Sequence, residues 1–385
     1  GIRVVFDLVI NHTSRDHPAY QFHAAGVEGY ADHYDRVPTA WDGTGLDWAG
    51  ETAPAFYFNW QRIPNLNYGS LDVRRWMLDA VDEWAEVVDG FRCDVAWGVP
   101  HGFWKEIRER VPDEFLLLDE TIPRDPHYHE AEFQMHYDTA LFGTLREIGH
   151  GEAPATDMFQ ALDDAVWQGF PDSAVHLRYI ENHDETRYLD DCGEDPLRAA
   201  VATIFTLPGA PMIYYGQERG MTDTRGPMKW HDGDAELTEF HQSLSRLRRE
   251  QPVLKNGAVE PLSVEFAARG TTEAVDSEDT TDAAVGESTD RDETAVSPQA
   301  DGETVDADRV VAFGRDDGTD RLLVVINFGD KPQAVSFPES VGSTELRTGS
   351  PLRKRYAQDG STIDADDERD TYILVDDVVI CHSDA

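Results

Sequence analysis

Lysine is almost missing from this 385-residue chain: five of its 33 basic residues are lysine, and they face 75 acidic ones, for a net charge of −42. Such a balance repels nucleic acid and anionic membrane surfaces, so neither is an expected partner. Cysteine is scarce too. Cys93, Cys192 and Cys381 are too few and too scattered for a disulfide framework or a zinc site, and are expected to be buried free thiols. No apolar run approaches the ~20 residues of a membrane span. The chain opens on Gly1 directly at a strand. It therefore reads as the interior of a longer protein whose signal peptide, if any, is lost, leaving cytoplasm slightly favoured over secretion.

What is present is an alternation of apolar strands and amphipathic helices up to about residue 250, as in a parallel α/β sheet or barrel. The expected strands are Arg3 to Ile10, Asp89 to Arg92, Phe115 to Leu118, Phe133 to Tyr137, Val175 to Ile180 and Ala210 to Tyr214. Helical spacing marks Val73 to Val88, Phe103 to Val111, Leu197 to Thr206 and Leu237 to Glu250. A long insertion, about 13–68, is rich in aromatic residues, including Trp41, Trp48, Tyr57, Phe58 and Trp60. These either present a binding surface or form a small core. The expected domains are 1–256 and 257–385. The second has short strands of antiparallel β-sandwich type: Leu262 to Phe266, Arg309 to Phe313, Arg321 to Asn327, Gln333 to Phe337 and Tyr372 to Ile380. It is interrupted by Gly270 to Asp308, whose 13 acidic residues, single Arg and lack of aromatics predict a disordered segment.

Three acidic residues follow apolar runs. Asp94 closes Gly90-Phe91-Arg92-Cys93, Glu120 follows Leu116-Leu117-Leu118-Asp119, and Asp184 ends Tyr179-Ile180-Glu181-Asn182-His183. Asp7 to His12 repeats the pattern. In an α/β barrel, groups at carboxyl strand ends converge on one face. Spacings of 26 residues from Asp94 to Glu120 and 64 from Glu120 to Asp184 suit one and two strand-helix units. Two carboxyl groups ~5–5.5 Å apart are what retaining glycoside cleavage uses, and a third can stabilise charge on the sugar ring.

Four stretches in order, Asp7 to His12, Gly90 to Asp94, Leu117 to Glu120 and Tyr179 to Asp184, resemble the signature regions of glycoside hydrolase family 13, the α-amylase family. Ile63-Pro64-Asn65-Leu66-Asn67 and Gly209 to Glu218 extend the likeness. The resemblance implies a (β/α)8 TIM barrel, here lacking its first two strand-helix units, with a small subdomain inserted after the third strand and a C-terminal antiparallel β domain. It implies Asp94 as nucleophile, Glu120 as acid and base, and Asp184 as transition-state stabiliser. Arg92 would orient Asp94, Asp7 would support Arg92, and His12 and His183 would bind sugar hydroxyls. Trp97 either stacks on a sugar or packs into its loop. Asn11 resembles a calcium ligand or is a structural hydrogen-bonder, so Ca2+ is the one cofactor in view and none is required for the chemistry. Arg187, His101 and Trp104 read as scaffold.

Asp94-Val95-Ala96 and Val99 to Trp104 resemble the neopullulanase, cyclomaltodextrinase and maltogenic amylase group. The expected substrate is an α-glucan or maltooligosaccharide and the expected reaction α-1,4 hydrolysis. An oligosaccharide α-glucosidase or a transglycosylase is the alternative, and a non-catalytic carbohydrate-binding relative a more distant one. With two strand-helix units missing, this stretch alone is expected to be poorly soluble or inactive. The acidic, lysine-poor composition resembles a halophile's proteome, since repulsion is weak where screening lengths shrink to ~3 Å at about 1 M salt. Dialysis to low salt should therefore unfold the protein; a circular-dichroism spectrum unchanged without salt would contradict this.

Overall fold

The computed structural model describes residues 1–38, 52–55, 62–266, 306–337, 340–348, 355–356, 362–363 and 372–383. The five insertion aromatics named above and most of the Gly270 to Asp308 stretch lie outside the described residues. In chain order the first eight strands are β1 (Val5–Leu8), β2 (Arg36–Pro38), β3 (Thr52–Pro54), β4 (Gly90–Cys93), β5 (Leu116–Asp119), β6 (Met135–Tyr137), β7 (Val175–Arg178) and β8 (Ala210–Pro211). All but the β2/β3 hairpin join one six-stranded parallel sheet in the order β1-β4-β5-β6-β7-β8. Each expected strand coincides with one of these, offset or trimmed at its ends. The sheet has the α/β-barrel order, and it is open, with β1 and β8 at its edges.

The helices are α1 (Pro18–Ala24), α2 (Leu71–Ala85), α3 (His101–Arg110), α4 (Thr139–His150), α5 (Asp157–Gln168), α6 (Tyr188–Cys192), α7 (Asp195–Thr206), α8 (Ala235–Glu250) and α9 (Val253–Asn256). Of these, α1, α4, α5, α6 and α9 are not among the expected helical stretches; in α4, Leu141, Leu145 and Ile148 recur at helical spacing and are fully buried. Gly143 and Gly149 dilute its pattern. No helix among the described residues is long and apolar enough to cross a membrane.

The chain divides into two compact units that interleave in sequence. One comprises Gly1–Arg146, Asp157–Glu185 and Gly209–Gln217; the other comprises Glu147–Thr156, Thr186–Pro208 and Glu218–Ala385. In the first, Phe91, Cys93 and Leu117 of the sheet pack with Val73, Met77 and Val81 of α2 and Phe103, Trp104 and Ile107 of α3. Tyr20, Tyr34, Leu66 and Tyr68 of the insertion belong to this same cluster, so the described part of the insertion shares the sheet's core.

The second unit adds β9 (Ala258–Leu262), β10 (Glu265–Phe266), β11 (Val310–Asp316), β12 (Arg321–Asn327), β13 (Gln333–Ser336), β14 (Val341–Arg347), β15 (Arg355–Tyr356), β16 (Thr362–Ile363), β17 (Ile373–Val375) and β18 (Val378–Ser383). A five-stranded sheet runs β14-β18-β12-β11-β9 and a three-stranded one β10-β13-β17, with antiparallel pairing throughout. Val310, Val325 and Val379 of the larger sheet meet Val335, Ile373 and Val375 of the smaller, which makes a two-layer core. The strand β14 is not among the expected ones, because between Val341 and Leu346 it carries only small or polar residues.

Arg315 of β11 is fully buried and donates to the carbonyl oxygens of Leu254 (2.9 Å), Gly257 (2.6 Å), Ala258 (3.3 Å) and Thr206. Arg248 of α8 donates to those of Phe205 (2.7 Å), Leu207 (2.9 Å) and Leu254 (2.8 Å). The two guanidinium groups thus satisfy carbonyls at the ends of α7 and α9 and at the start of β9. Arg315→Met removes the side-chain donor from the Thr206, Gly257 and Ala258 carbonyls and should lower stability by at least ~3 kcal/mol in denaturant titration at fixed salt. A loss under about 1 kcal/mol would remove Arg315 from this role.

Candidate functional site

The parallel register builds the site. Asp7 lies opposite Arg92, Arg92 opposite Leu118, and Cys93 opposite Asp119. One step further along β4 and β5 come Asp94 and Glu120. Side chains alternate along a strand, so Phe91 and Cys93 enter the helix-covered core while Arg92 and Asp94 share the other face. β4 and β5 approach so closely that a Cβ on Gly90 would lie 2.6 Å from Leu116 Cβ and 2.7 Å from its carbonyl oxygen. Only glycine fits there.

Arg92, largely buried, donates through Nη1 to Asp7 Oδ1 (2.7 Å) and Asp94 Oδ1 (2.7 Å), and through Nη2 to Glu120 Oε1. Burial alone would lower the Arg92 pKa, but Glu120, Tyr137 and Asp7 raise it, so the guanidinium stays charged. Glu120 Oε2 accepts the Val95 N–H at 3.0 Å. The Glu120 pKa is raised, chiefly by burial; Arg92 and the Val95 N–H oppose the rise, and Asp94 and Asp184 add to it.

Asp184 reaches the group from beyond β7. Asn182 Oδ1 accepts the N–H groups of Asp184 (2.9 Å) and Glu185 (3.1 Å), a side-chain turn that fixes how Asp184 projects. His183 Nε2 lies 3.1 Å from Asp184 Oδ2. One ligand-type atom each from Glu120, His183 and Asp184 falls within 4.8 Å of the others. Thus Asp7, Arg92, Asp94, Glu120, His183 and Asp184, chosen from sequence, come together.

His12 forms an isolated bridge with Asn65, tying the first motif to the end of the insertion. Burial lowers its pKa, with Asp94 pulling the other way, so His12 is a neutral hydrogen-bonding group near the nucleophile candidate. Trp97 is 44% exposed on the 3-10 turn Ala96–Gly98. His101 Nδ1 contacts both Glu132 oxygens at 3.0 Å, and the fully buried Trp104 donates from Nε1 to the Ala96 carbonyl at 2.9 Å. Arg187, also fully buried, donates to the carbonyls of Asp223 (3.1 Å) and Thr224 (3.3 Å).

Three contributors escaped the sequence reading. Tyr137 at the end of β6 lies beside Arg92; burial raises its pKa and the Arg92 charge opposes the rise. Val95 supplies a donor to Glu120 from a left-handed conformation, φ 47°, that no residue pattern advertises for a β-branched side chain. Asn182 lay inside the fourth motif, and its spacing from Asp184 was the available signal for an Asx turn.

Asn11 is buried, with Nδ2 donating to the Gly98 carbonyl at 2.9 Å and Oδ1 3.3 Å from His12 Nδ1. A Cβ on Gly98 would sit 2.3 Å from that Nδ2, so the clamp needs glycine. Calcium takes six to eight oxygen ligands. Asn11 Oδ1 is one such donor, while its Nδ2 is committed to the loop clamp.

A family model described as "Alpha-amylase: Alpha amylase, catalytic domain" matches residues 1–296. The chain is 38% identical over 352 residues to "Alpha-amylase MalA" of the halophile Haloarcula japonica, covering 91% of this chain and 46% of that protein. It is 28% identical over 291 residues to "Cyclomaltodextrinase" of a Bacillus species, covering 70% and 51%. The chain thus spans about half the length of these curated relatives. Among solved structures, a "Cyclomaltodextrinase" aligns with TM-score 0.72 and 22% identity over 100% of this chain and 60% of that one. An alpha-amylase from H.orenii aligns with TM-score 0.67 and 20% identity, over 100% and 81%. These two likenesses bear on the fold. With the family match spanning most of the sequence and the strand-end motifs meeting in one cluster, the chain belongs to the alpha-amylase family.

Proposed function

We propose that the protein hydrolyses α-1,4-glucosidic bonds of starch or maltodextrins with retention of anomeric configuration. The observation that carries this reading is the contrast around Arg92: Asp94 is anchored by the guanidinium, while burial and two neighbouring carboxylates raise the Glu120 pKa. A buried carboxyl group with a raised pKa beside a carboxylate held by a cation is the pairing retaining cleavage uses. The curated relatives named as an alpha-amylase and a cyclomaltodextrinase agree with an α-glucan substrate.

In the first step an Asp94 oxygen attacks the anomeric carbon as the glycosidic C–O bond breaks, and Glu120 gives its proton to the departing oxygen. In the second, the Glu120 carboxylate takes a proton from water, whose oxygen attacks the anomeric carbon, and Asp94 leaves as carboxylate. Asp184, with His183 beside it, grips ring hydroxyls more tightly in the flattened, positively charged state than in the ground state. His12 binds a hydroxyl next to the nucleophile. Trp97, exposed on the turn just beyond, offers a stacking face to the acceptor sugar.

Proton NMR of early products from maltotriose should show the α-anomer, and Glu120→Gln should lower kcat by roughly 10²–10⁴-fold. A β-anomer as first product, or isomaltose cleaved faster than maltotriose, would overturn the assignment. Arg92→Met bears on positioning. Because the guanidinium charge lowers the Glu120 pKa, its removal should move the basic limb of the kcat/KM profile to higher pH. A limb that stays put or falls in folded protein would take Arg92 out of the acid's environment.

A further inference from the structure

We propose that His150, Asp191 and Cys192 form a binding site for a zinc-class divalent cation, separate from the carboxylate cluster. His150 ends α4, and Asp191 and Cys192 end α6. The two helix ends meet because residue 149 is glycine: a Cβ there would lie 2.5 Å from Tyr188 Oη and 2.8 Å from Cys192 Sγ. His150 Nε2 is 3.3 Å from Asp191 Oδ2, Cys192 Sγ is 3.8 Å from the same oxygen, and all three atoms lie within 4.8 Å of one another. Tetrahedral zinc with its usual bonds of ~2.0–2.3 Å to N, O and S sets ligand atoms roughly 3.3–3.6 Å apart. Small side-chain adjustments therefore centre an ion among the three.

The donor types choose the ion. Imidazole, carboxylate and thiolate together favour zinc over calcium or magnesium, which prefer oxygen alone. Three protein ligands on a partly exposed surface leave the fourth position to water. On binding, any proton on His150 Nε2, which now faces Asp191 Oδ2 and the Asp191 carbonyl oxygen at 3.3 Å, and the proton of the Cys192 S–H pass to solvent, and the sulfur, nitrogen and oxygen bond the metal as bound waters depart. A chain of net charge −42 draws cations to its surface, and the bound ion cross-links the last turn of α4 to α6. The sequence could not show this: cysteine spacing reveals sites built from cysteine pairs, and here one cysteine is completed by a histidine 42 residues earlier.

The test is cobalt titration of the full chain, without a histidine tag and after chelator treatment. The expected result is saturation at one equivalent, with visible bands of tetrahedral Co2+, a near-ultraviolet thiolate-to-cobalt band, and displacement by Zn2+. Cys192→Ser should abolish the ultraviolet band, since Cys93 and Cys381 are buried, and His150→Ala should weaken binding at least ~10-fold. No saturable band, or one that survives Cys192→Ser, would overturn the proposal. Should that variant not fold, alkylation of the unmodified chain decides: Zn2+ must protect Cys192 from iodoacetamide, and unchanged labelling refutes the site.

Discussion

One guanidinium organises the first unit's chemistry. Arg92 faces Asp7, Asp94 and Glu120 at once, and those carboxylates arrive from three adjacent strands. Without a cation at that point, three negative charges would crowd one partly buried space, and the strands would be held together against their repulsion. A lysine could not replace it, because one ammonium cannot present separated, fixed donors to three partners. The β1, β4 and β5 register and the tight approach at Gly90 are the backbone conditions for this junction.

The turn after Asp94 shows how the junction is finished. Val95 adopts a left-handed backbone that costs a β-branched residue about 1–3 kcal/mol. That conformation aims its N–H at Glu120, while Ala96 N–H bonds the Glu120 carbonyl at 3.2 Å. The Trp104 indole on the Ala96 carbonyl and the Asn11 amide on Gly98 secure the same turn from outside. Strain at one residue is thus sustained by four hydrogen bonds around it, and the donor to the acid/base candidate is set before substrate arrives.

The sequence made the strands and the acidic trio legible because both follow local rules: apolar runs mark buried parallel strands, and polar residues just beyond them mark the rim. Asp94, Glu120 and Asp184 were readable for that reason, as was Arg92 two positions before Asp94. Tyr137 was not, since an aromatic at the end of a strand is indistinguishable from core until the neighbouring strand is placed. Val95 was hidden by its side chain, which argues against the conformation it adopts. For Asn11 the structural role, a clamp on the Gly98 carbonyl, needed the position of the turn to be seen.

Arginine also holds the interior cation positions. Arg92, Arg124, Arg178, Arg187, Arg248 and Arg315 are all buried, and no lysine is buried among the described residues. Arg124 and Arg178 grip the two oxygens of Asp138, while Arg248 and Arg315 gather backbone carbonyls. These are tasks for a rigid fork with several donors. With 75 acidic against 33 basic residues the charge that salt can reach is net negative, and the interior cations are shielded by burial. Ionic strength consequently acts on the repulsive exterior, while the Arg92 junction depends on packing and hydrogen-bond geometry. The two sets of charges answer to different physics within one chain.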